Sequence, residues 1–223
     1  MSAPLQQLLE KGSLWRGHKG AANANARESL AYVSTGQVEL DQALGGGWLP
    51  QRLHEIQLQQ FFVGELALVA PAMVQATQQQ RSIFWLAPPA QPYAPALAQL
   101  AEASVMAQAQ HIVLRPQRVT DTLWSAETIL HSGQAGVLMV WLEEPSAIAI
   151  RRLHLAAAAS QAYVFVFSPW QPEEARSYAT RLRIHLSQDS VSGYGQVQWQ
   201  LLKRMGGWPL RLARQPLPKW PSK

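Results

Sequence analysis

Residues 57–68, QLQQFFVGELAL, stand where a phosphate-binding loop would follow a strand and lead into a helix. Such a loop has the pattern GxxxxGK[ST]: its glycines let backbone N–H groups close on phosphate, its lysine supplies charge and its hydroxyl holds Mg²⁺. Here only Gly64 is retained, while Glu65 replaces the lysine and Leu66 replaces the hydroxyl residue. The lysine and the hydroxyl residue that would bind phosphate and Mg²⁺ are therefore missing, although Gly64 is retained.

Glu65 opposes phosphate binding on charge alone. At an effective dielectric constant of about 20, a carboxylate ~4 Å from a phosphate charge is repelled by roughly 4 kcal/mol. The lost lysine attraction adds to this repulsion, and Phe61 and Phe62 place apolar side chains in the loop. We therefore predict a degenerate P-loop at Gly64, Glu65 and Leu66 that binds no cofactor.

The acid that would hold Mg²⁺ at the end of a later strand is also missing. The apolar stretch AGVLMVWL ends in Trp141 and Leu142. Glu143 and Glu144 follow, but they precede Pro145, and we interpret them as first-turn acids beside a helix dipole. Losses on both sides of a phosphate site predict that this chain has given up ATP chemistry.

The sequence contains no other convincing catalytic set. Its six histidines are scattered, without an HExxH motif, and no GxSxG elbow is present. The absence of cysteine excludes disulfides and thiolate metal sites. We predict no catalytic residue, no metal and no enzymatic activity.

Hydrophobic periodicity predicts the elements that would position this loop. The predicted strands are residues 53–58, 82–88, 111–116, 135–142 and 162–169. The predicted helices are residues 64–80, 94–105, 121–133 and 145–160, with Asp121 as an N-cap and Gly133 as a stop signal. Continuous apolar strands alternating with helices indicate an α/β fold with a mostly parallel sheet flanked by helices. After Pro172, period-two patterning predicts a small antiparallel C-terminal edge.

Three segments are expected along the chain. Residues 1–31 form a polar N-terminal extension with a short helix around Leu5–Leu9, residues 32–202 form the core, and residues 203–223 form a basic tail. Apolar residues make up 48% of the chain and charged residues 15%, as in globular proteins. Neither a signal-peptide core nor a bilayer-spanning apolar run is present, so a cytoplasmic location is expected.

The net charge of +5 is concentrated at the C-terminal end. Residues 203–223 contain no acid and six of the 19 basic side chains, which leaves 13 basic against 14 acidic residues elsewhere. A basic end on a near-neutral body indicates either an acidic partner, such as DNA or an acidic protein surface, or a solubilising terminus. The predicted contact residues combine these cations with tryptophans near glycines: Trp48, Lys203, Arg204, Trp208, Arg211, Arg214 and Lys219.

The segment STGQVELDQALGGGWLP resembles the one that precedes the first strand and P-loop of RecA-like ATPases. Ser34–Gly36, Asp41 and Gly45–Gly47 carry this resemblance, which implies a RecA-like fold. Over residues 33–207 the chain resembles the ImuA family, grouped with the SulA-like proteins. The matching stretches are GELALVAP, LAPP, LWSAETILHSGQAGVLMVWL, RRLHLAAAASQAYVFVFSP, RLRIHL and LLKRMGG.

The ImuA resemblance implies a non-enzymatic accessory protein of SOS-induced translesion DNA synthesis. Its implied partners are RecA, an ImuB-type inactive Y-family polymerase and an error-prone C-family DNA polymerase. The charge distribution, rather than the resemblance, predicts that the basic tail reaches DNA or an acidic partner, and no membrane partner is expected. A SulA-type inhibitor that blocks polymerisation of the tubulin-like division protein is the alternative, because it shares the later half of the pattern. An ATPase with an unorthodox phosphate site is the third hypothesis.

Overall fold

A computed structural model of the chain describes residues 32–100, 103–172, 174–188 and 195–216. The helix predicted around Leu5–Leu9 and the contact residue Lys219 lie outside these ranges. None of the described helices is long and apolar enough to cross a bilayer.

Strands and helices alternate through most of the described chain. The strands are Arg52–Leu58 (β1), Ser82–Leu86 (β2), His111–Leu114 (β3), Ala135–Trp141 (β4), Tyr163–Pro169 (β5), Thr180–Gln188 (β6), Gly195–Lys203 (β7), Leu210–Arg211 (β8) and Gln215–Pro216 (β9). The helices are Val38–Leu44 (α1), Ala70–Gln78 (α2), Ala94–Leu100 (α3), Ala103–Met106 (α4), Val119–His131 (α5) and Ala147–Ala159 (α6). A 3₁₀ turn at Glu65–Leu68 precedes α2.

The described strands form one nine-stranded sheet in the order β3-β2-β4-β5-β1-β6-β7-β8, with β9 also paired to β7. Strands β3, β2, β4, β5, β1 and β6 pair in parallel. Strand β7 runs antiparallel to β6, and β8 and β9 run antiparallel to β7. The predicted α/β class, the mostly parallel sheet flanked by helices and the antiparallel C-terminal edge are confirmed.

Alternate side chains of β1 point into two separate cores. Ile56 and Leu58 pack with α1 and α2, and we call this side of the sheet the α2 face. Leu53 packs with α5 and α6 on the other side, the α6 face. Burial on both sides explains why strands β4 and β5 read as continuous apolar runs rather than as alternating ones.

The antiparallel edge extends into the segment predicted as a tail. Lys203 is the last residue of β7, and Leu210–Arg211 and Gln215–Pro216 pair back onto that strand. Leu210–Arg211 and Gln215–Pro216 thus belong to the sheet, and the expected boundary at residue 203 falls at the end of β7, within this antiparallel edge. The limit assigned to the N-terminal extension stays a prediction.

Three helix signals were misinterpreted from the sequence. Helix α5 begins at Val119 with Arg118 at its N-cap, so Asp121 lies in the first turn, where its carboxylate pairs with Arg118 at 2.9 Å. Glu143 and Glu144 are not first-turn acids, because α6 begins at Ala147 after a Ser146 N-cap. Local motifs mark the neighbourhood of a helix start better than its first residue.

The helix predicted over residues 64–80 is also divided, into the 3₁₀ turn and α2, which meet at Val69. At the other end of α5, Gly133 adopts a positive φ of 71° after the Ser132 C-cap, which confirms the predicted stop signal.

Candidate functional site

The loop after β1 is closed by its own carboxylate. Glu65 accepts hydrogen bonds from the backbone N–H groups of Phe62, at 3.0 Å, and Val63, at 2.8 Å. Glu65 is only 4% exposed to solvent. In a phosphate loop such N–H groups would bind the anion; in this loop they are bound by an internal carboxylate.

Other residues of the loop also have structural roles, in core packing or in the turn. Leu66 is half-buried and packs against the α2-face core, together with Phe61 and Val63. Gly64 keeps the left-handed backbone, at φ 88°, that begins the 3₁₀ turn. Phe62 also has a positive φ, 67°, and its side chain is 71% exposed. The loop retains its turn geometry and presents a phenyl ring instead of a phosphate cradle.

Aromatic rings occupy the sheet beside this loop on the α2 face. Trp141, at the carboxyl end of β4, stacks on Phe167 at 4.7 Å between ring centroids with an interplanar angle of 16°. Trp85 lies nearly parallel to Trp141 at 5.9 Å. The carboxyl end of β4 thus carries a packed indole, and no cluster of three metal-ligating side chains occurs among the described residues.

Asp41 organises the segment that resembles the approach to a P-loop. Its carboxylate accepts hydrogen bonds from the Ser34 hydroxyl at 2.6 Å and from the Thr35 N–H at 2.7 Å. The Ser34 hydroxyl oxygen in turn accepts a bond from the Gly36 N–H at 2.9 Å. These residue types are explained by a local hydrogen-bond network that fixes the start of α1.

Two of the three glycines are required by close packing. A side chain at Gly46 would approach the Tyr32 ring to 2.9 Å, and one at Gly47 would meet the Val33 carbonyl oxygen at 2.1 Å. The Val33–Trp48 bridge brings these backbones together. The glycine triplet therefore serves chain packing in this structure.

The prediction that Trp48 contacts a partner is wrong. Trp48 is fully buried, its indole N–H donates to the Leu68 carbonyl oxygen at 2.7 Å, and its ring meets Phe165 edge-on at 5.3 Å. This hydrogen bond joins the glycine-rich segment to the end of the 3₁₀ turn. The sequence signal, a tryptophan after glycines, did not distinguish an exposed anchor from a core one.

The other predicted contact residues have different structural roles. Arg204 is half-buried and donates to the carbonyl oxygens of Ala43, at 2.5 Å, and Trp208, at 2.9 Å. Because Ala43 lies in the last turn of α1, Arg204 satisfies a helix-terminal carbonyl. It is a structural residue, and its guanidinium has little freedom to contact DNA.

Lys203, Trp208, Arg211 and Arg214 are all exposed. The Trp208 side chain is the most open of them, at 86%. Partial burial and the nearby charge of Arg181 lower the pKa of Lys203, whose ammonium donates to the Arg176 carbonyl oxygen at 3.1 Å. These four residues remain available for a partner.

A buried ion pair was missed by the sequence reasoning. Glu55 on β1 and Arg181 on β6 lie opposite each other in the parallel register, and their side chains meet at 2.5 Å. Glu55 also accepts a bond from the Gln57 amide at 2.9 Å, and Arg181 donates to the Glu174 carbonyl oxygen at 2.6 Å. Both side chains are nearly inaccessible to solvent, so the pair fixes β6 to the centre of the sheet.

Tyr178 lies against this pair on the α6 face. Burial, together with the nearby Glu55 carboxylate, raises the pKa of its hydroxyl. The signal for this network was present in the sequence as arginines alternating with apolar residues in TRLRIHL, opposite HEIQL. Only the strand order, which sequence periodicity does not supply, brings the two segments together.

No protein-family model matches the chain, and a search of characterised proteins finds no relative. The molecule is therefore described by its fold and site. It is an α/β protein with a mostly parallel sheet, and the loop after β1 has its backbone amides bound by the side chain of Glu65. The predicted contact residues that are exposed lie at or near the antiparallel edge: Lys203, Trp208, Arg211 and Arg214.

Proposed function

We propose that this protein is a non-enzymatic adaptor of SOS-induced translesion DNA synthesis, with a RecA-like fold of the ImuA type. It would act with RecA, an ImuB-type inactive Y-family polymerase and an error-prone C-family DNA polymerase. The observation that carries the proposal is the Glu65 carboxylate, which occupies the loop amides where a nucleotide-dependent relative would hold phosphate.

The position of this loop supports descent from a nucleotide-binding fold. In open α/β sheets, ligands bind beyond the carboxyl ends of strands, at the point where successive connections pass to opposite faces. Strand β1 leads to α2 on one face, whereas β4 leads to α6 on the other. The closed loop follows the carboxyl end of β1, the end of the sheet at which such a fold would bind its ligand, and this position supports the proposal.

Exposed aromatic side chains support an adaptor role. Phe62 is 71% exposed on the closed loop, and Trp208 is 86% exposed near the antiparallel edge. Aromatic residues often anchor protein–protein interfaces. A RecA-like body could join a RecA filament end through such a surface, because head-to-tail contacts accept any partner with one matching face. Lys203, Arg211 and Arg214 would supply contacts to DNA phosphates or to an acidic partner surface.

The test is affinity purification of the full chain from DNA-damaged cells. RecA and a Y-family polymerase relative should co-purify with the unaltered protein, and Phe62→Ala or Trp208→Ala should reduce their recovery. Trp124→Ala is the matched control, since Trp124 is 66% exposed on α5. Recovery of the tubulin-like division protein in their place would replace this proposal with the SulA-type function.

Calorimetric titration with nucleotide and Mg²⁺ addresses the ATPase hypothesis. We expect no binding to the unaltered protein, because Glu65 both repels phosphate and occupies its amide donors. Micromolar binding at the loop would contradict the adaptor proposal and favour an unorthodox phosphate site.

A further inference from the structure

A stripe of polar and aromatic side chains crosses the antiparallel edge on the α6 face. Strand register places Arg183 of β6 opposite Gln200 of β7, and Gln200 opposite Arg211 of β8. Directly opposed residues share a face of the sheet. Their neighbours Ile184 and Trp199 are buried on the α2 face, whereas the three polar residues are half-buried or exposed. The basic stripe, as we call it, comprises Trp170, Arg183, His185, Gln200 and Arg211.

Trp170 supplies an exposed aromatic surface at the inner end of the basic stripe. It follows β5, is 37% exposed, and meets the His185 ring edge-on at 4.6 Å. The Arg183 guanidinium lies 5.0 Å from the Trp170 ring centroid. Arg183 also donates to the Gln57 side-chain oxygen at 3.0 Å and to the Gln171 carbonyl oxygen at 2.9 Å. These contacts fix the indole in one orientation while leaving part of it open.

Positive charge dominates the strands around the basic stripe. The described residues of β6 to β9 include arginines and a lysine but no acidic side chain. Two of the nearby acids are already paired: Glu55 is buried against Arg181, and Glu174 pairs with Arg176 at 3.3 Å. A third, Glu143, is exposed, and its backbone carbonyl accepts from the Gln171 side chain at 2.6 Å. Arg211, in contrast, is exposed, and the one hydrogen-bond contact of its side chain within the described part of the chain is long, at 3.5 Å to Gln200. An anionic ligand would therefore find uncompensated charge here.

We propose that the basic stripe binds single-stranded nucleic acid. Cationic side chains contact phosphates, and a fixed, exposed indole stacks on an unpaired base. Stacking requires a base face that is free, which a duplex does not offer. An acidic peptide would satisfy the charges but would leave the oriented indole without a matching planar group. This inference shares Arg211 with the DNA contacts proposed above and specifies their ligand as single-stranded, but it does not depend on the adaptor role.

Fluorescence anisotropy with labelled oligothymidylate and oligouridylate tests the proposal on the purified full chain. Trp170→Ala should weaken binding about fivefold or more, since base stacking carries a large share of such affinity. Trp124→Ala, at another exposed tryptophan, is the control and should leave the affinity unchanged. The relative affinity for the two strands distinguishes DNA from RNA as the preferred source.

Salt dependence tests the charge component separately. Arg211→Gln should reduce the slope of log K against log salt concentration by about 0.7, as expected for one lost phosphate contact on a single strand. Arg115→Gln is the matched control, because Arg115 is exposed beside β3 at the opposite edge of the sheet. Arg211 makes one weak contact, so this variant should keep the native thermal unfolding curve.

Three results would overturn the inference. One is equal loss of affinity in Trp170→Ala and Trp124→Ala. A second is a salt slope unchanged by Arg211→Gln. A third is displacement of the oligonucleotide by polyglutamate at equal charge concentration, which would assign the basic stripe to an acidic protein surface.

Discussion

The closed loop after β1 and the antiparallel edge treat polar groups in opposite ways. In the loop, the Phe62 and Val63 amides are bound by the buried carboxylate of Glu65. At the edge, Lys203 and Arg211 project into solvent. In the loop the amides are satisfied from within the chain, whereas at the edge the charged groups are exposed to solvent.

This difference implies that the loop contributes mainly to stability and that the edge is better suited to binding. Buried polar groups are expensive to leave unpaired, so an internally satisfied site holds the fold together and has no donor left for a ligand. Exposed charges contribute little to folding because solvent screens them, but they remain free to interact. Changes in the interior should therefore alter stability, and changes at the edge should alter association.

The largest effect is expected at the Glu55–Arg181 pair, which joins β1 to β6 beside the antiparallel edge. Arg181→Met would leave the Glu55 carboxylate buried without its cation, which typically costs about 3–5 kcal/mol of unfolding free energy. Urea unfolding followed by circular dichroism measures the loss. The β6–β7 edge should loosen first, since β6 is held to β1 through this pair.

The double variant Glu55→Met/Arg181→Met is the control for that prediction. It removes both charges and should recover much of the lost stability, because apolar replacements of a buried ion pair are often neutral or better. Equal destabilisation in the single and double variants would mean that packing, rather than an unpaired charge, dominates this site.

The buried His54 of β1 should make the stability of the protein depend on pH. Burial is the main reason that the pKa of this imidazole falls from 6.5 to about 4, and the charge of Arg52 adds to the effect. As pH falls from 6.5 toward 4, the unfolded chain binds a proton that the native state does not. Stability is therefore present above pH 6.5 and is lost on acidification, by about 3 kcal/mol for this group.

Denaturant titrations at several pH values measure this contribution as a difference between variants. His54→Gln should show a shallower loss of stability between pH 6.5 and 4 than the unaltered protein. His131→Gln is the control, because His131 is exposed at the end of α5. Identical pH profiles for His54→Gln and the unaltered chain would contradict a neutral, buried imidazole.

The sequence predicted the elements better than their exact limits or their contacts. Strands such as β4 and β5 can be recognised in the sequence, because burial on both faces of the sheet requires an unbroken run of apolar residues. Helix starts failed at Asp121 and Glu143, where the choice among adjacent polar residues depends on how each strand leads into its helix. Pairing of Glu55 with Arg181 was inaccessible because it joins residues 126 positions apart.

The candidate site was predicted in part. The replacements at Gly64, Glu65 and Leu66 directed attention to this loop, and its descent from a phosphate loop stays a prediction. A residue type alone does not show where the Glu65 carboxylate lies. The same limit affected Trp48 and Arg204, whose roles depend on the Leu68 and Ala43 carbonyls brought near by folding. Exposure, more than residue type, distinguishes the contact candidates Trp208 and Arg211 from these structural residues.

Removing the Glu65 carboxylate should reopen the loop to anions. Glu65→Ala would leave the Phe62 and Val63 amides without acceptors, at a cost of about 1–3 kcal/mol. Sulfate or inorganic phosphate should restore part of this stability by binding the freed amides. Thermal unfolding across a sulfate series measures the restoration.

Sulfate stabilises many proteins by exclusion, so the Glu65→Ala result requires a control of equal charge. Glu39→Ala removes an exposed acid from α1 and should show only the general salt effect. A steeper sulfate dependence in Glu65→Ala indicates a specific anion site. Parallel curves for the two variants would show that the loop amides do not bind anions even when Glu65 is absent.

The smallest stability effect is expected at Trp208. Its side chain is 86% exposed, so Trp208→Ala removes little buried surface and should change the unfolding free energy by less than about 0.5 kcal/mol. Trp199→Ala on the adjacent strand is the buried counterpart and should cost about 3–5 kcal/mol. If Trp208→Ala lowers stability as much as Trp199→Ala does, Trp208 belongs to the interior. A small loss accompanied by weaker partner recovery instead assigns it to association.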